Sequence, residues 1–126
     1  MNKLSEIKQK INDLQNVSLS QIDYGYLPPT NSTTYHAHML LDILPVPPYV
    51  SSDADGSICF DYEFKDGKEL ELYFKIVGKE CHYSYLWCPD EDDETWIEKD
   101  FVGDIRGDKL LVEILDLDAE IENGKS

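Results

Sequence analysis

The sequence predicts a single α+β domain of 126 residues, with helices on one face of an antiparallel sheet. Two observations lead to this prediction. Apolar and polar side chains alternate between Ile58 and Trp87 in runs separated by turn residues, which indicates a meander of three to four strands. The flanking segments have apolar residues three or four positions apart, as in amphipathic helices. We therefore expect two helices within residues 1–47, the sheet in residues 57–101 and one helix over residues 108–121.

The N-terminal part is predicted to contain two helices joined by a loop. The first extends from Leu4 to Leu14, where apolar residues recur at steps of three and four. The second starts at Asn31 or Ser32, both of which are suitable N-cap residues, and Pro45 ends it. The apolar positions of this second helix are Tyr35, Met39, Leu40 and Ile43.

The predicted sheet has the clearest pattern in the chain. One alternating run extends from Ile58 to Phe64, and an Asp-Gly dipeptide within Lys65–Lys68 favours a tight turn after it. Two further runs extend from Leu70 to Ile76 and from Cys81 to Trp87, and a weaker one covers residues 95–101. Because successive side chains point to opposite faces of a strand, one face is expected to bury the aromatic residues beneath the helices. The other face then carries Asp61, Glu63, Glu69, Glu71 and Tyr73.

The last predicted element is an amphipathic helix with an acidic outer surface. From Leu110 to Ile121, apolar residues recur at i, i+4, i+7 and i+11, and acidic residues occupy the positions between them. Acidic side chains near the C-terminal end of a helix interact unfavourably with the helix dipole, so we expect another factor to compensate for them. We expect residues 122–126 to fray.

Net charge sets limits on the partners of this protein. The chain has 26 acidic and 11 basic residues, which gives a formal charge of −15. Such a surface repels nucleic acid and anionic membranes and attracts basic proteins and cations. No apolar stretch reaches the length of a membrane span, and the three cysteines do not follow a disulfide pattern. We therefore expect a cytoplasmic protein that binds neither nucleic acid directly nor membranes.

Motifs for catalysis or metal binding are incomplete or missing in the sequence. The segment that begins at Asp53 resembles the start of a calcium loop, but the twelfth position holds Phe64 instead of glutamate. His36 and His38 are two residues apart on a predicted helix and therefore point in different directions. The chain has no Gly-x-Ser-x-Gly, phosphate-binding glycine loop or His-Glu-x-x-His sequence. We expect no catalytic residue, no metal and no cofactor.

The stretch from Pro48 to Trp87 resembles a widespread class of small bacterial proteins without assigned function. The resemblance rests on a proline-rich start, an Asp-Gly turn, a strand that ends in an aromatic residue, and a charged hairpin with a Leu-Glu-Leu strand. Members of that class often carry Gly-Trp-Asp-Gly in the N-terminal helical part, where this chain has Asp-Tyr-Gly-Tyr at Asp23–Tyr26. The resemblance implies the same α+β fold and a bacterial or phage origin, and it implies no catalytic residues.

The charge distribution leads to our main functional hypothesis. We interpret the chain as a non-catalytic acidic protein that masks a basic, nucleic-acid-binding surface of a partner, as an inhibitor, an immunity protein or a nucleic-acid mimic. The run Asp90–Glu94 places carboxylates about 3.3 Å apart along an extended chain, close to the spacing of phosphates along one DNA strand. Tyr73 and Trp96 are candidate aromatic anchors. The candidate contact residues are Asp61, Glu63, Glu69, Glu71, Tyr73, Asp90, Glu91, Asp92, Asp93, Glu94, Trp96, Glu113, Asp116 and Glu120.

Two alternatives remain open at the level of the sequence. In the first, the chain is a small enzyme or ligand binder that uses His82 and the aromatic residues of the third strand, Tyr83, Tyr85 and Trp87. In the second, the charge serves only to keep the protein soluble, and the domain has a different role. The position of the acidic residues relative to His82 distinguishes the first alternative from the main hypothesis.

Overall fold

The computed structural model describes residues 3–16, 25, 27–89, 97–116 and 120–122. Within these residues the chain forms an α+β fold with three α-helices and a five-stranded antiparallel sheet of order β1-β2-β3-β4-β5. The predicted fold class is confirmed, with five strands instead of three to four. The helices are α1 (Lys3–Asp13), α2 (Asn31–Ile43) and α3 (Lys109–Leu115). The strands are β1 (Tyr49–Ser52), β2 (Ile58–Glu63), β3 (Glu69–Val77), β4 (Glu80–Cys88) and β5 (Ile97–Val102).

The first strand is the element that the sequence pattern misses. It has only four residues, which is too short for alternation to be recognised, and it follows two prolines. Its pairing with β2 places Val50 opposite Phe60, and Val50 is 3% exposed. The segment from Asp53 to Ser57 is therefore the turn of a β1–β2 hairpin, in which the Asp53 amide donates to the Ser57 carbonyl at 2.9 Å.

Helix α2 has the predicted bounds but buries a different set of side chains. Thr30 is the N-cap, one residue before the expected position, and its hydroxyl accepts a hydrogen bond from the Thr33 amide at 3.2 Å. The Thr33 hydroxyl in turn accepts one from the Ile76 amide of β3, which attaches the helix to the sheet. The buried residues are Thr33, Thr34, Ala37, Leu40 and Leu41, whereas Tyr35, Met39 and Ile43 are exposed.

Helix α3 is shorter than the sequence pattern predicts. It begins after Asp108, whose carboxylate accepts a hydrogen bond from the Leu111 amide, and it ends at Leu115 rather than Ile121. Ile121 lies outside the helix, where it forms an antiparallel bridge with Phe64 at the end of β2 and is 2% exposed. The chain leaves the helical path because Ile121 buries its side chain against the sheet and the following amide donates to the Glu63 carbonyl at 2.7 Å.

The hydrophobic core lies on one face of the sheet. Cross-strand pairing aligns Phe60, Leu72 and Tyr85 on β2, β3 and β4, and all three are fully buried. Burial of each such side chain contributes about 2 kcal/mol. Residues of all three helices belong to the same apolar cluster, so the helices cover this face as predicted. Their core residues include Ile7, Ile11, Leu40, Leu41, Leu111 and Ile114.

Candidate interaction surface

The acidic residues of the central strands share the face of the sheet that is opposite the hydrophobic core. We call Asp61, Glu63, Glu69, Glu71 and Tyr73 the acidic face. Strand register places Asp61 directly opposite Glu71 and Glu63 directly opposite Glu69, while Tyr73 pairs with Cys59. The sequence alternation predicts this common face, and the register adds that the carboxylates stand in opposed pairs.

Opposed carboxylates lower the stability of the sheet. Side chains directly opposite each other on antiparallel strands have Cβ atoms about 5 Å apart, and like charges at that distance repel. In water the repulsion between unit charges about 5 Å apart is somewhat below 1 kcal/mol. A basic side chain placed between the two carboxylates would convert this repulsion into attraction.

Two hydrogen bonds fix the carboxylates of Asp61 and Glu71. The Cys59 thiol donates to Asp61 Oδ1 at 3.3 Å, and the Tyr73 hydroxyl donates to Glu71 Oε2 at 3.1 Å. Burial and the neighbouring Asp61 raise the pKa of Cys59, while burial, Cys59 and Glu71 raise the pKa of Tyr73. Both groups are therefore neutral at physiological pH. Cys59 is a poor nucleophile, since nucleophilic attack requires the thiolate.

A concave region lies at one end of the acidic face. It has a volume of about 330 Å³ and is lined by the four carboxylates, by Tyr62 and Leu70, and by Tyr49 of β1. Tyr49 pairs with Asp61 and is 44% exposed. One row across the sheet thus runs from Tyr49 through Asp61 and Glu71 to Leu86 on β4. Tyrosines therefore flank the carboxylates on both sides, with Tyr49 in this row and Tyr73 in the next one.

The other candidate contact residues do not join this face. Glu113 is exposed on α3, which packs against the opposite side of the sheet, and Asp116 is exposed just after that helix. Glu120 is half-buried and forms an ion pair with Lys68, with 2.7 Å between Lys68 Nζ and Glu120 Oε2. The remaining candidates, Asp90, Glu91, Asp92, Asp93, Glu94 and Trp96, lie outside the described residues.

His82 and the aromatic residues of β4 lie on opposite faces of the sheet. His82 is on the same side as the acidic face, and its Nε2 is 3.5 Å from Glu80 Oε2. Tyr83 and Tyr85 point into the core, where their hydroxyls donate to the two carboxylate oxygens of Asp108 at 3.2 Å each. Burial and Asp108 raise the pKa of Tyr85 to about 12. His82 and Tyr83 nevertheless both line a cavity of about 260 Å³ at the edge of this face, whereas Tyr85 is not among its lining residues.

The carboxylates of the β1–β2 turn are engaged within the turn. Asp53 Oδ1 accepts a hydrogen bond from the Ala54 amide at 2.9 Å, and Asp55 Oδ1 accepts one from the Ser57 amide at 3.0 Å. Lys75 Nζ lies 3.6 Å from Asp55 Oδ2. In the part of the chain that the structure describes, no group of three or more His, Cys, Asp or Glu residues is arranged to hold a metal ion.

A thiol–imidazole pair is the feature that sequence analysis did not find. Cys81 Sγ on β4 lies 3.5 Å from His36 Nε2 on α2, although the two residues are 45 positions apart. His38 points elsewhere and bonds to Asn12 of α1 at 2.9 Å. Burial lowers the pKa of His36 and raises the pKa of Cys81, so both groups are neutral near pH 7. The sequence contains no signal for this pair because it depends on how α2 crosses the sheet.

Comparisons of the chain with protein-family models, curated proteins and solved structures found no match. The resemblance to small bacterial α+β proteins therefore stays a prediction. No helix among the described residues is both long and apolar enough to cross a membrane.

Proposed function

We propose that this protein is a non-catalytic binding protein whose acidic face contacts a basic surface of a partner protein. The main support for the proposal is the presence of two opposed carboxylate pairs, Asp61 with Glu71 and Glu63 with Glu69. Both pairs lie on the side of the sheet opposite the helices. Four carboxylates at adjacent positions lower the stability of the free protein. A basic partner removes that repulsion when it binds. The repulsion between carboxylates in the free protein therefore makes the free energy of binding more favourable.

The chemistry of this surface suits arginine more than lysine. The opposed carboxylates of Asp61 and Glu71 present several acceptor oxygens on neighbouring strands, and a planar guanidinium with five N–H donors can bond to them at the same time. The hydrogen bonds from Cys59 and Tyr73 hold these carboxylates in position before the partner arrives. Such preorganisation reduces the side-chain entropy that is lost on binding.

Tyrosines next to the carboxylates supply apolar contact area. Tyr49 is exposed at one end of the row that contains Asp61 and Glu71, and Tyr73 is half-buried in the next row. In protein interfaces, tyrosine side chains often contribute more of the binding energy than the acidic side chains around them. We therefore assign affinity mainly to these tyrosines, and assign the rate and specificity of association mainly to the carboxylates.

The spacing of the carboxylates favours a partner that binds nucleic acid. Residues on the same face of a strand recur about every 6.6 Å, which is about twice the axial spacing of phosphates on one DNA strand. The overall charge of −15 extends the negative field beyond these four residues. In this proposal the protein acts as an inhibitor, an immunity protein or a nucleic-acid mimic, and it occupies the basic surface that the partner offers to nucleic acid.

A capture experiment with matched variants tests the proposal. The protein is immobilised and exposed to host lysate at low and at high ionic strength, and retained proteins are identified by mass spectrometry. We expect a basic protein to be retained at low ionic strength and released at high ionic strength. The variant Asp61→Asn/Glu71→Gln should retain much less of it. The variant Glu113→Gln/Asp116→Asn removes the same charge from α3 and from the residue just after it, and it should retain as much as the parent protein.

The outcomes separate a specific surface from general charge. Equal loss in both variants would show that net charge alone attracts the partner, and the acidic face would then not be the contact surface. If no basic protein is retained at any ionic strength, the charge serves solubility and the proposal fails.

A further inference from the structure

A cavity lined by α2 and the neighbouring strands brings together three side chains with soft donor atoms. It has a volume of about 780 Å³, and its lining includes His36 and Met39 of α2 and Cys81 of β4. Cys81 Sγ lies 3.5 Å from His36 Nε2. Met39 follows His36 by three positions, so the two side chains are neighbours on one side of the helix. An imidazole, a thioether and a thiol therefore line the same space.

These three groups are accessible to an ion in solution. Met39 is 45% exposed, and His36 and Cys81 are both partly exposed. The other two cysteines of the chain, Cys59 and Cys88, are only 3% and 8% exposed. Cys81 is therefore the cysteine that a metal ion reaches most easily.

The protonation states of His36 and Cys81 are compatible with metal binding. Burial lowers the pKa of His36, so the imidazole is neutral near pH 7 and has a lone pair to offer. In the tautomer with the proton on Nδ1, Nε2 accepts the thiol hydrogen of Cys81. A metal ion that replaces this hydrogen bonds to both atoms, as metal binding to a thiol releases its proton.

The distance between Cys81 Sγ and His36 Nε2 fits a shared ion with further ligands. With metal–sulfur and metal–nitrogen bonds of about 2.3 and 2.0 Å, as at zinc sites, a separation of 3.5 Å gives an angle of about 110° at the metal. That angle is close to trigonal or tetrahedral geometry and much smaller than the angle of a linear two-ligand site. The pair therefore requires at least one more ligand. Met39 supplies a thioether from the same cavity, and its unbranched side chain adapts easily.

We propose that Cys81, His36 and Met39 form a binding site for a monovalent copper ion. Thiolate and thioether sulfur are soft ligands that select Cu⁺, and imidazole also binds copper. The Cys81 thiol proton passes to solvent when the sulfur–copper bond forms, and neither copper nor sulfur changes its oxidation state. The site lies away from the acidic face, so the inference does not rest on the function proposed above.

The surroundings favour Cu⁺ over zinc. Structural zinc sites take their ligands from cysteine, histidine and carboxylate side chains. Among the described residues, these types alone provide no group of three that could hold a metal ion. Asp104 lines the same cavity, but both of its carboxylate oxygens accept a hydrogen bond from Arg106 Nε at 3.0 Å. The third donor is then the Met39 thioether, which is a ligand for soft ions.

This site departs from the expectation that the protein binds no metal. Sequence motifs for metal binding depend on short, regular spacings between ligands. His36 and Cys81 are 45 positions apart, and only the packing of α2 on the sheet brings them together.

A competition titration with Cu⁺ tests the site. Under anaerobic conditions, the purified protein competes with the chromophoric chelator bicinchoninate for Cu⁺, and the loss of the coloured complex measures binding. We expect the parent protein to remove one equivalent of Cu⁺. Loss of a residue behind a metal ligand costs about tenfold to a hundredfold in affinity, and loss of a ligand should cost at least as much. Cys81→Ser, His36→Gln and Met39→Leu should therefore each bind Cu⁺ at least about tenfold more weakly.

Matched substitutions separate ligation from changes in packing. His38→Gln makes the same change two positions along α2, where His38 bonds to Asn12 instead of Cys81. Cys59→Ser removes a different thiol and retains a donor for Asp61. Both variants should bind Cu⁺ like the parent protein. Circular dichroism checks that each variant is folded, and Met39→Leu retains an apolar side chain, so it decides the question even if Cys81→Ser does not fold.

NMR spectroscopy with Ag⁺ tests the thioether directly. Ag⁺ has the same charge and softness as Cu⁺ and is not oxidised in air. The chain has two methionines, Met1 and Met39. In protein labelled with ¹³C at the methionine methyl groups, one equivalent of Ag⁺ should shift the Met39 signal and leave the Met1 signal in place.

Several results would overturn the proposal. Failure of the parent protein to take Cu⁺ from bicinchoninate would exclude the site. Parent-like binding by His36→Gln and Met39→Leu would mean that a thiol alone holds the ion. An equal loss in Cys59→Ser, or an unchanged Met39 signal with Ag⁺, would place the ion elsewhere. Asp61→Asn/Glu71→Gln should bind Cu⁺ like the parent protein, so this proposal and the proposed function can fail separately.

Discussion

At the scale of single residues, Asp108 connects the sheet to the C-terminal helix. Its carboxylate accepts hydrogen bonds from the hydroxyls of Tyr83 and Tyr85 and from the backbone amide of Leu111. One half-buried side chain thus satisfies the hydroxyls of two core tyrosines and caps α3. A helix of seven residues has little stability of its own, so this connection matters for its formation.

We expect Asp108→Ala to lower the free energy of unfolding by about 2 kcal/mol. The substitution removes an N-cap and leaves two buried hydroxyls without their acceptor. Urea denaturation followed by circular dichroism measures the effect. Asp116→Ala is the control, because Asp116 is an exposed acidic residue just after α3. A loss below about 0.5 kcal/mol in Asp108→Ala would contradict the assigned role.

The raised pKa of Tyr85 predicts a loss of stability at alkaline pH. Burial and Asp108 raise the pKa of Tyr85 from 10.0 to about 12, so the folded state retains a proton that the unfolded state loses. The folded state binds more protons in this window, and stability therefore falls as pH rises between about 10 and 12.

Replacement of Tyr85 by phenylalanine tests this assignment. Tyr85→Phe should reduce the slope of unfolding free energy against pH above pH 10, relative to the parent protein. Tyr35→Phe makes the same change at an exposed tyrosine and serves as the control. Urea denaturation at a series of alkaline pH values provides the slopes. Identical slopes in all three proteins would rule out the contribution of Tyr85.

At the scale of elements, the β2–β3 hairpin combines a fully apolar face with an opposed set of carboxylates. The apolar face supplies six fully or almost fully buried core residues, namely Ile58, Phe60, Tyr62, Leu70, Leu72 and Phe74, so the hairpin tolerates like charges on its other face. This balance explains how the acidic face exists in a stable sheet: the repulsion of each pair is smaller than the contribution of a single buried Phe60 or Leu72.

We expect Glu69→Lys to raise the free energy of unfolding by about 0.2–1 kcal/mol. Lysine at this position faces Glu63 and turns a like-charged pair into an attractive one. The same substitution should weaken capture of the basic partner. Glu113→Lys on α3 makes the same change in net charge and serves as the control in urea denaturation. A larger gain in the control would show that net charge, not the opposed pair, limits stability.

At the scale of the whole molecule, the two sides of the domain differ in character. The acidic face is polar and held by the sheet, whereas the outward side of α2 presents the apolar residues Tyr35, Met39 and Ile43. Long-range attraction by the charge of −15 should speed association of a basic partner, and the local surfaces then select the complex.

The run from Asp90 to Glu94 is expected to contribute to this attraction. A variant in which all five residues are replaced by Asn or Gln should retain the fold, because surface charges contribute little to stability. Its association rate with the captured basic partner should fall at low ionic strength and differ less from that of the parent protein at physiological ionic strength. Surface plasmon resonance measures both rates. An unchanged rate at low ionic strength would exclude this run from the contact region.

The sequence by itself determined the α+β class and which side chains share a face of the sheet. Alternation with a period of two is a property of the strand, so Asp61 and Glu71 had to lie on the face opposite to Phe60 and Leu72 wherever the strands paired. The helical bounds of α2 followed in the same way from local signals, namely the polar residues near Thr30 and the proline after its end.

Only the tertiary structure decided the features that depend on contacts between distant residues. Strand β1 exists because four residues pair with β2, and α3 ends early because Ile121 is buried beside Phe64. The His36–Cys81 contact joins residues that local patterns do not relate. The exposure of Tyr35, Met39 and Ile43 was set by how α2 lies on the sheet, where Thr33 bonds to Ile76 and turns the threonines inward. Periodicity shows which residues of a helix share a side, but the packing partner chooses which side is buried.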